Sequence, residues 1–292
     1  MGWVLTPITG ATRSERSLPR IGWIILLAVG VGLIGAVNLY LAGRSIRLVS
    51  GGAPAVDWDQ IVEASRRIVA GGDVYEVTNE YSFPYSPLLA YAAGALSWLG
   101  TAGWRLLHVA AAFALPTWPM RILCLVSWPF WFDVETGNLL VFVVLAAAWA
   151  IRGNGVATSA YLTLLLLIPR PLMLPVAAWL LWKRPAWRLP FLALAVLSIG
   201  AIILSGWGDD WARFLISISS QFDSPNNLGP TRLIGAAWLL VAVPLAGYLT
   251  WRGQLGLASV TISYPYVLPY YLLVLLLDVP RRLSHGWAWR TP

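Results

Sequence analysis

Charge is what this sequence has least of. Asp, Glu, Lys and Arg make up 11% of its 292 residues, while 58% are hydrophobic. Soluble domains carry roughly 25% charged residues. So few charges cannot cover a surface facing water, so a bilayer is the expected solvent and apolar spanning helices the expected elements. The alternating segments of about ten residues that mark a membrane barrel are missing too; the apolar runs are long and unbroken. Cysteine is nearly absent. Cys124 is alone, which excludes an internal disulfide, and no Cys/His spacing suits a metal. Gly-rich phosphate loops, a Ser/His/Asp nucleophile set and clusters of metal-ligating side chains are also lacking, so no metal or other cofactor is expected. Lysine is equally scarce. Lys183 is the single lysine among 20 basic residues, the rest being arginine. The arginines are scattered between apolar segments, which excludes a nucleic-acid surface. The net charge of +7 fits the positive-inside bias and contact with anionic lipid headgroups.

What is present is a succession of apolar segments. Arg13, Arg16 and Arg20 precede the run Ile21–Leu41, which is too long for a signal-peptide core and lacks a small-residue cleavage site after it. It reads as a retained first span with residues 1–20 cytoplasmic. A polar segment follows, Ala42–Phe83. Apolar stretches then lie at Pro84–Leu99, Trp104–Pro116, Trp118–Phe132, Leu139–Ile151, Ala157–Ile168, Pro171–Trp182, Leu189–Trp207, Leu233–Trp251 and Leu255–Val279. Several are shorter than the roughly 20 residues that cross alone. Such segments persist where protein or a water-filled cavity surrounds them. The expected architecture is all-α: one polytopic domain over 1–292 with about eight to ten crossings. Its outer loops would be 42–83 and 206–232, and its cytoplasmic tail 280–292.

The charges orient this array. Arg152, Lys183, Arg184, Arg188, Arg252, Arg281 and Arg282 sit at alternate segment ends, as inside loops should. All of the 13 acids but Glu15 and Asp278 then fall outside. This parity requires Trp118–Phe132 to dip in and return, since a full crossing would carry Glu135 inside. Within the first outer loop, Asp57–Ala70 has helical periodicity, with Trp58, Ile61, Ile68 and Val69 apolar and Asp59, Glu63, Arg66 and Arg67 polar. Gly71-Gly72 ends it. This pattern predicts a helix lying on the outer surface.

Four groups of residues could carry chemistry. Asp57-Trp58-Asp59 places carboxylates against an indole at a membrane surface, where partial desolvation raises proton affinity and suits a general base. On spacing alone the stronger reading of Asp57 is a cap on the helix it begins, and the two roles are not exclusive. Arg170, between Pro169 and Pro171 in an apolar setting, is costly at membrane depth unless it faces a cavity or an anionic partner. Its guanidinium fork matches phosphate oxygens; an ordinary outer loop with the arginine at the headgroups accounts for it as well. Asp133-Val134-Glu135-Thr136-Gly137-Asn138 opens an apolar helix, as caps or as sugar-binding groups. Tyr264-Pro265-Tyr266 with Tyr270-Tyr271 forms either an interfacial belt or a set of hydrogen-bonding groups. His108, in an apolar segment, reads as a packed, hydrogen-bonding residue.

Taken in order, several of these residues resemble a family pattern. An Asp-aromatic pair, Asp57-Trp58, precedes a short helix and Gly71-Gly72-Asp73-Val74-Tyr75. Phe83-Pro84-Tyr85-Ser86-Pro87-Leu88 then opens the next span. Gly137-Asn138, Pro169-Arg170-Pro171 with Trp182-Lys183-Arg184, and Tyr264-Pro265 before Tyr270-Tyr271-Leu272 follow in the same order. Over residues 20–280 the set resembles the bacterial GT-C glycosyltransferases that use polyprenyl-phosphate mannose, among them the mannosyltransferases of phosphatidylinositol mannoside synthesis. The chain departs from that pattern at Tyr270, where the family usually has His, and at Arg170, where it often has Lys. Its Gly-Gln-x-Asn turn is reduced to Thr136-Gly137-Asn138.

The resemblance implies a GT-C-like helical bundle in a bacterial plasma membrane with its site at the outer face. The reaction it implies is inverting transfer of mannose from a polyprenyl-phosphate donor to a glycolipid or glycan hydroxyl. Asp57 would be the base, with Asp59 in reserve. Arg170, helped by Arg232, would meet the donor phosphate. Tyr75, Tyr85, Glu135, Asn138, Tyr266 and Tyr270 would contact substrate. The alternatives are a non-enzymatic lipid or solute transporter and a catalytically inactive relative.

Overall fold

The computed structural model describes residues 18–76, 83–218 and 226–279. The expected tail 280–292, most of the expected cytoplasmic N-terminus, and the acids Glu15, Glu80 and Asp223 lie outside the described residues. The regular structure among those residues is all helical, with no strand. The α-helices are α1 (Leu18–Ser50), α2 (Val56–Val69), α3 (Pro87–Ala93), α4 (Gly100–Phe113), α5 (Trp118–Val126), α6 (Trp128–Thr136) and α7 (Leu140–Ile151). After these come α8 (Gly155–Leu167), α9 (Leu174–Lys183), α10 (Arg188–Leu204), α11 (Gly208–Ile218), α12 (Thr231–Ile234), α13 (Leu239–Trp251) and α14 (Leu255–Ile262). Short 3₁₀ turns link several of them, and a longer 3₁₀ helix, Pro269–Asp278, closes the described chain.

Three helical segments among the described residues are long and apolar enough to cross a membrane: Ile24–Ser50, Pro185–Leu204 and Thr231–Trp251. Their surfaces support that use. Ile24, Leu27, Val31 and Ile34 of α1, Leu189, Val196, Leu197 and Leu204 of α10, and Leu240 and Val243 of α13 are all exposed. Contiguous apolar surface of this extent requires an apolar partner. The other apolar helices are shorter than a bilayer crossing.

The core lies elsewhere. Helix α7 is apolar around its whole circumference, as a fully enclosed helix must be. Leu140, Val141, Val143, Val144, Ala147, Ala148 and Ala150 are all buried. It packs against α4, α8, α9 and the Pro269–Asp278 helix.

Several expected boundaries move. Helix α1 continues to Ser50, past Leu41, because no proline or glycine pair interrupts it before Gly51-Gly52. Trp118–Phe132 is two helices parted at Ser127, whose backbone is extended and whose hydroxyl caps α6. Asn38 of α1 compensates the break: its amide donates to the Val126 carbonyl (2.9 Å) and accepts from Trp128 N–H (2.8 Å). Leu255–Val279 is also divided, at Ser263–Leu268, which contains the cis Tyr264–Pro265 bond. The expected loop 206–232 carries α11, an amphipathic helix with Asp209 and Asp210 in its first turn.

Helix α2 follows the expected periodicity. Trp58, Ile61, Ala64, Ser65 and Ile68 form its buried face, while Val69, read as apolar-facing, is exposed. The N-cap is Ala55, and Asp57 lies in the first turn without capping it. Trp58 stacks on Trp104 of α4 at 4.1 Å between ring centroids.

Candidate functional site

The turn between α6 and α7 is built so tightly that only glycine fits. Gly137 has φ +73°, and a Cβ there would lie 2.8 Å from the Trp58 Cβ and 3.0 Å from the Ala55 Cβ. This close approach presses the first turn of α2 against the next residue, Asn138, which is buried.

Asn138 is the hub of the site. Its Oδ1 accepts from Leu139 N–H at 2.7 Å, which fixes the amide orientation and turns its NH₂ group outward. That group donates to Asp57 Oδ2 at 2.8 Å and to the Tyr85 hydroxyl oxygen at 3.0 Å. Asp57 is partly exposed, so solvent or a ligand reaches it. Crowding around its carboxyl nevertheless raises its proton affinity by desolvation, opposed by hydrogen bonds from Asn138 and Thr136 and by the charge of Arg170. The expected desolvation is therefore present, and the expected cap is not.

Tyr85 connects Asp57 to Arg170. The Arg170 guanidinium carbon lies 5.7 Å from the centres of both the Tyr85 and Tyr266 rings, and its Nη1 donates to the Tyr266 hydroxyl at 3.2 Å. Among the described residues Arg170 has no carboxylate partner within ion-pair distance. Pro169 and Pro171 hold its backbone outside helix, extended at φ −102°, ψ 134°, so the side chain leaves a loop rather than a helix face.

Two compartments flank the Tyr85–Arg170 pair. The inner one, about 20 Å³, is walled by Asn138, Leu172, Tyr270 and Tyr271. The outer one, about 140 Å³, is walled by Pro84, Pro171, Trp211, Phe214 and Tyr264. Sites that enclose a whole drug-sized ligand begin at roughly 300 Å³, so the outer compartment has room only for a small group. A larger space of about 570 Å³ lies beside Val49, Pro54, Thr101 and Trp131, and none of the expected site residues lines it.

The expected residues divide accordingly. Asp57, Tyr85, Asn138, Arg170, Tyr266 and Tyr270 come together. Tyr270, in the family's His position, is buried and stacks on Phe132 at 5.8 Å. Tyr75 stands aside; its hydroxyl donates to the Tyr85 carbonyl at 3.0 Å and its ring stacks on Phe214, holding α11 over the outer compartment. Glu135 is turned toward α1, where Oε2 accepts from Ser45 at 2.5 Å. Asp59 and Arg232 are exposed and line neither compartment. Partial desolvation raises the proton affinity of Asp59 also, against the charges of Arg105 and Arg66.

The sequence reading missed Trp211. Its indole N–H is buried and has no hydrogen-bond partner among the described residues. With 18 tryptophans in the chain, one more at a loop gives no signal. Its place in α11, an acid-led amphipathic helix, could have marked it.

No group of three or more His, Cys, Asp or Glu is assembled for a metal among the described residues. What the site offers among the described residues is a carboxylate near solvent, an arginine without an ion-paired acid, and tyrosine hydroxyls between them. Comparison with protein-family models, with curated proteins and with solved structures returns no match to this chain.

Proposed function

We propose that this protein is a membrane glycosyltransferase that moves a sugar, mannose by the resemblance of its motifs, from a polyprenyl-phosphate donor to a lipid or glycan hydroxyl. The observation that carries the reading is the meeting of Asp57 and Arg170 around Tyr85, bridged by Asn138. In the proposed step the acceptor hydroxyl attacks the anomeric carbon and gives its proton to Asp57. The bond from that carbon to the phosphate oxygen breaks, its electron pair stays on the phosphate, and the configuration inverts. Arg170 offsets the charge that develops on the leaving phosphate. The indole N–H of Trp211 and the tyrosine hydroxyls are further donors for the headgroup, while the polyprenyl tail remains among lipids. A GT-C-like bundle with the site on the non-cytoplasmic face is part of the same proposal, with the shorter apolar helices completing the crossings.

The test is transfer of radiolabelled mannose from polyprenyl-phosphate mannose in membranes carrying the chain. A labelled glycolipid that disappears with Asp57→Asn supports the reading. Full transfer by Asp57→Asn overturns the assignment of the base. Donor-dependent movement of lipid across vesicles, with no glycosidic product, would instead favour a transporter.

A further inference from the structure

Beneath Asn138 lies a second, fully enclosed polar layer that the proposed reaction does not use. His108 of α4 and Asp133 of α6 are both completely buried, with His108 Nε2 3.8 Å from Asp133 Oδ2. Each ring nitrogen has a backbone carbonyl beside it. Nδ1 lies 2.9 Å from the Trp104 carbonyl oxygen, and Nε2 lies 2.6 Å from the Asn138 carbonyl oxygen. A carbonyl oxygen only accepts, and a neutral imidazole has only one N–H. In either neutral form a ring lone pair would face a carbonyl lone pair at hydrogen-bond distance. Turning the ring over would place carbon at both positions and lose both bonds.

Asp133 gives the complementary result. Its Oδ2 accepts from Val141 N–H at 3.0 Å, at the start of α7. Its Oδ1 is buried without a partner among the described residues. A proton on Oδ1 would therefore be a donor with no acceptor, whereas an ionised carboxylate beside a cation lacks only a second donor. A buried charge is tolerated chiefly when paired. The other groups facing this layer do not supply the counter-charge. Arg105, on the same helix, directs its guanidinium to the carbonyls of Val134, Glu135 and Ala53. Cys124 of α5 is buried nearby, and the rings of Trp104 and Phe142 close the remaining sides of His108.

We infer that His108 is held as an imidazolium with Asp133 as its counter-ion, and that this buried pair fixes Asn138 and, through it, the carboxylate of Asp57. The Asn138 backbone is gripped twice: its carbonyl accepts from His108 and its N–H donates to the Asp133 carbonyl at 3.1 Å. Its side chain then holds Asp57. His108 and Asp133 are positioning residues, three links from the reacting atoms. Their catalytic consequence rests on the proposed transfer reaction; the charge state and the grip on Asp57 do not.

The experiment uses the full chain in detergent with ¹⁵N-labelled histidine. His108 and His285 are the two histidines, so His285→Gln leaves one ring in the spectrum. Two protonated ring nitrogens at neutral pH are expected; one protonated and one bare nitrogen overturn the inference. The second arm reads Asp57 by ¹³C-carboxyl titration, assigned by its loss in Asp57→Asn. In His108→Gln the Asp57 titration moves to higher pH, because a nearby positive charge and a firm donor are both weakened. An unmoved Asp57 titration overturns the positioning role. Should the chain transfer sugar, His108→Gln lowers kcat on the order of 10-fold or more, as small misplacements do, with KM nearly unchanged. Absence of transfer by the unmodified chain would sink the glycosyltransferase reading and leave both spectroscopic arms decisive.

Discussion

Two arginines in apolar surroundings, Arg105 and Arg170, are treated in opposite ways by this fold. Arg105 is engaged by the backbone: Nε and Nη2 serve three carbonyls where α6 ends and α2 is approached. It ties together segments whose last carbonyls have no helical partner. Arg170 has one tyrosine hydroxyl and two ring faces. Among the described residues most of its donors have no partner, and the proposed phosphate would use them. Both arginines interrupt apolar sequence, so the residue alone does not separate the two roles. What separates them is the supply of carbonyls, which the prolines around Arg170 and the helix ends around Arg105 determine.

The largest expected effect tests this contrast directly. Arg170→Ala should lower transfer by about 10²- to 10³-fold, the range for removing one group that stabilises developing charge, with little change in thermal stability. Arg105→Ala should do the reverse, destabilising by about 2–5 kcal/mol because buried carbonyls lose charged donors. Thermal unfolding in detergent beside an activity assay reads both. Equal losses of stability in the two variants would erase the distinction.

Next in size is Gly137→Ala. The left-handed backbone costs about 1–2 kcal/mol for a residue with a side chain, and the clash with Trp58 and Ala55 adds to it. Lower stability and a displaced Asp57 are expected together, seen as a lower melting temperature and reduced transfer. A variant with unchanged melting temperature would mean that the turn is looser than described.

The pH dependence comes third. Desolvation raises the Asp57 pKa above the ordinary 3.8, and in the proposed reaction the working base is the carboxylate. Transfer therefore falls as pH drops through the raised value, and the acid limb of kcat/KM lies above that of an ordinary aspartate. For stability the sign is opposite. The folded chain holds this proton more tightly than the unfolded chain, so the contribution is present at low pH and lost as pH rises through the folded pKa. Asp57→Asn should remove that part of the pH dependence of the melting temperature. The smallest effects belong to Asp59→Asn and Arg232→Ala, exposed residues expected to change stability by no more than about 0.5 kcal/mol and to leave transfer nearly intact. A large loss from Asp59→Asn would reassign the base.

Much of this was legible in the sequence, for local reasons. The amphipathic period of α2 marked its buried face, and the proline pair marked Arg170 as lying outside helix. Polar residues opening an apolar run marked Asn138. What escaped depends on partners distant in the chain. The break at Ser127 is stable because Asn38 satisfies the two backbone groups it frees, and no local pattern announces that. Asp57 looked like a cap because it starts a helical period; Asn138, 81 residues away, draws its carboxylate elsewhere. Tyr75 and Glu135 belong to polar motifs, yet each is consumed by a structural hydrogen bond.

The length of α1 has a consequence for the membrane itself. Its 33 residues extend about 50 Å at 1.5 Å per residue, against a hydrocarbon thickness of about 30 Å. Its last turns, from Ala42 to Ser50, therefore project roughly 13 Å beyond the run Ile21–Leu41. In the proposed topology the helix would act as a strut that sets the height of Asp57 above the lipid tails. Bilayers of longer acyl chains would immerse the strut and bring the headgroup layer up to α2, and thinner ones would tilt it. Reconstitution across a series of acyl-chain lengths should then give an optimum thickness for transfer, at which a lipid-borne phosphate and Arg170 stand at the same level.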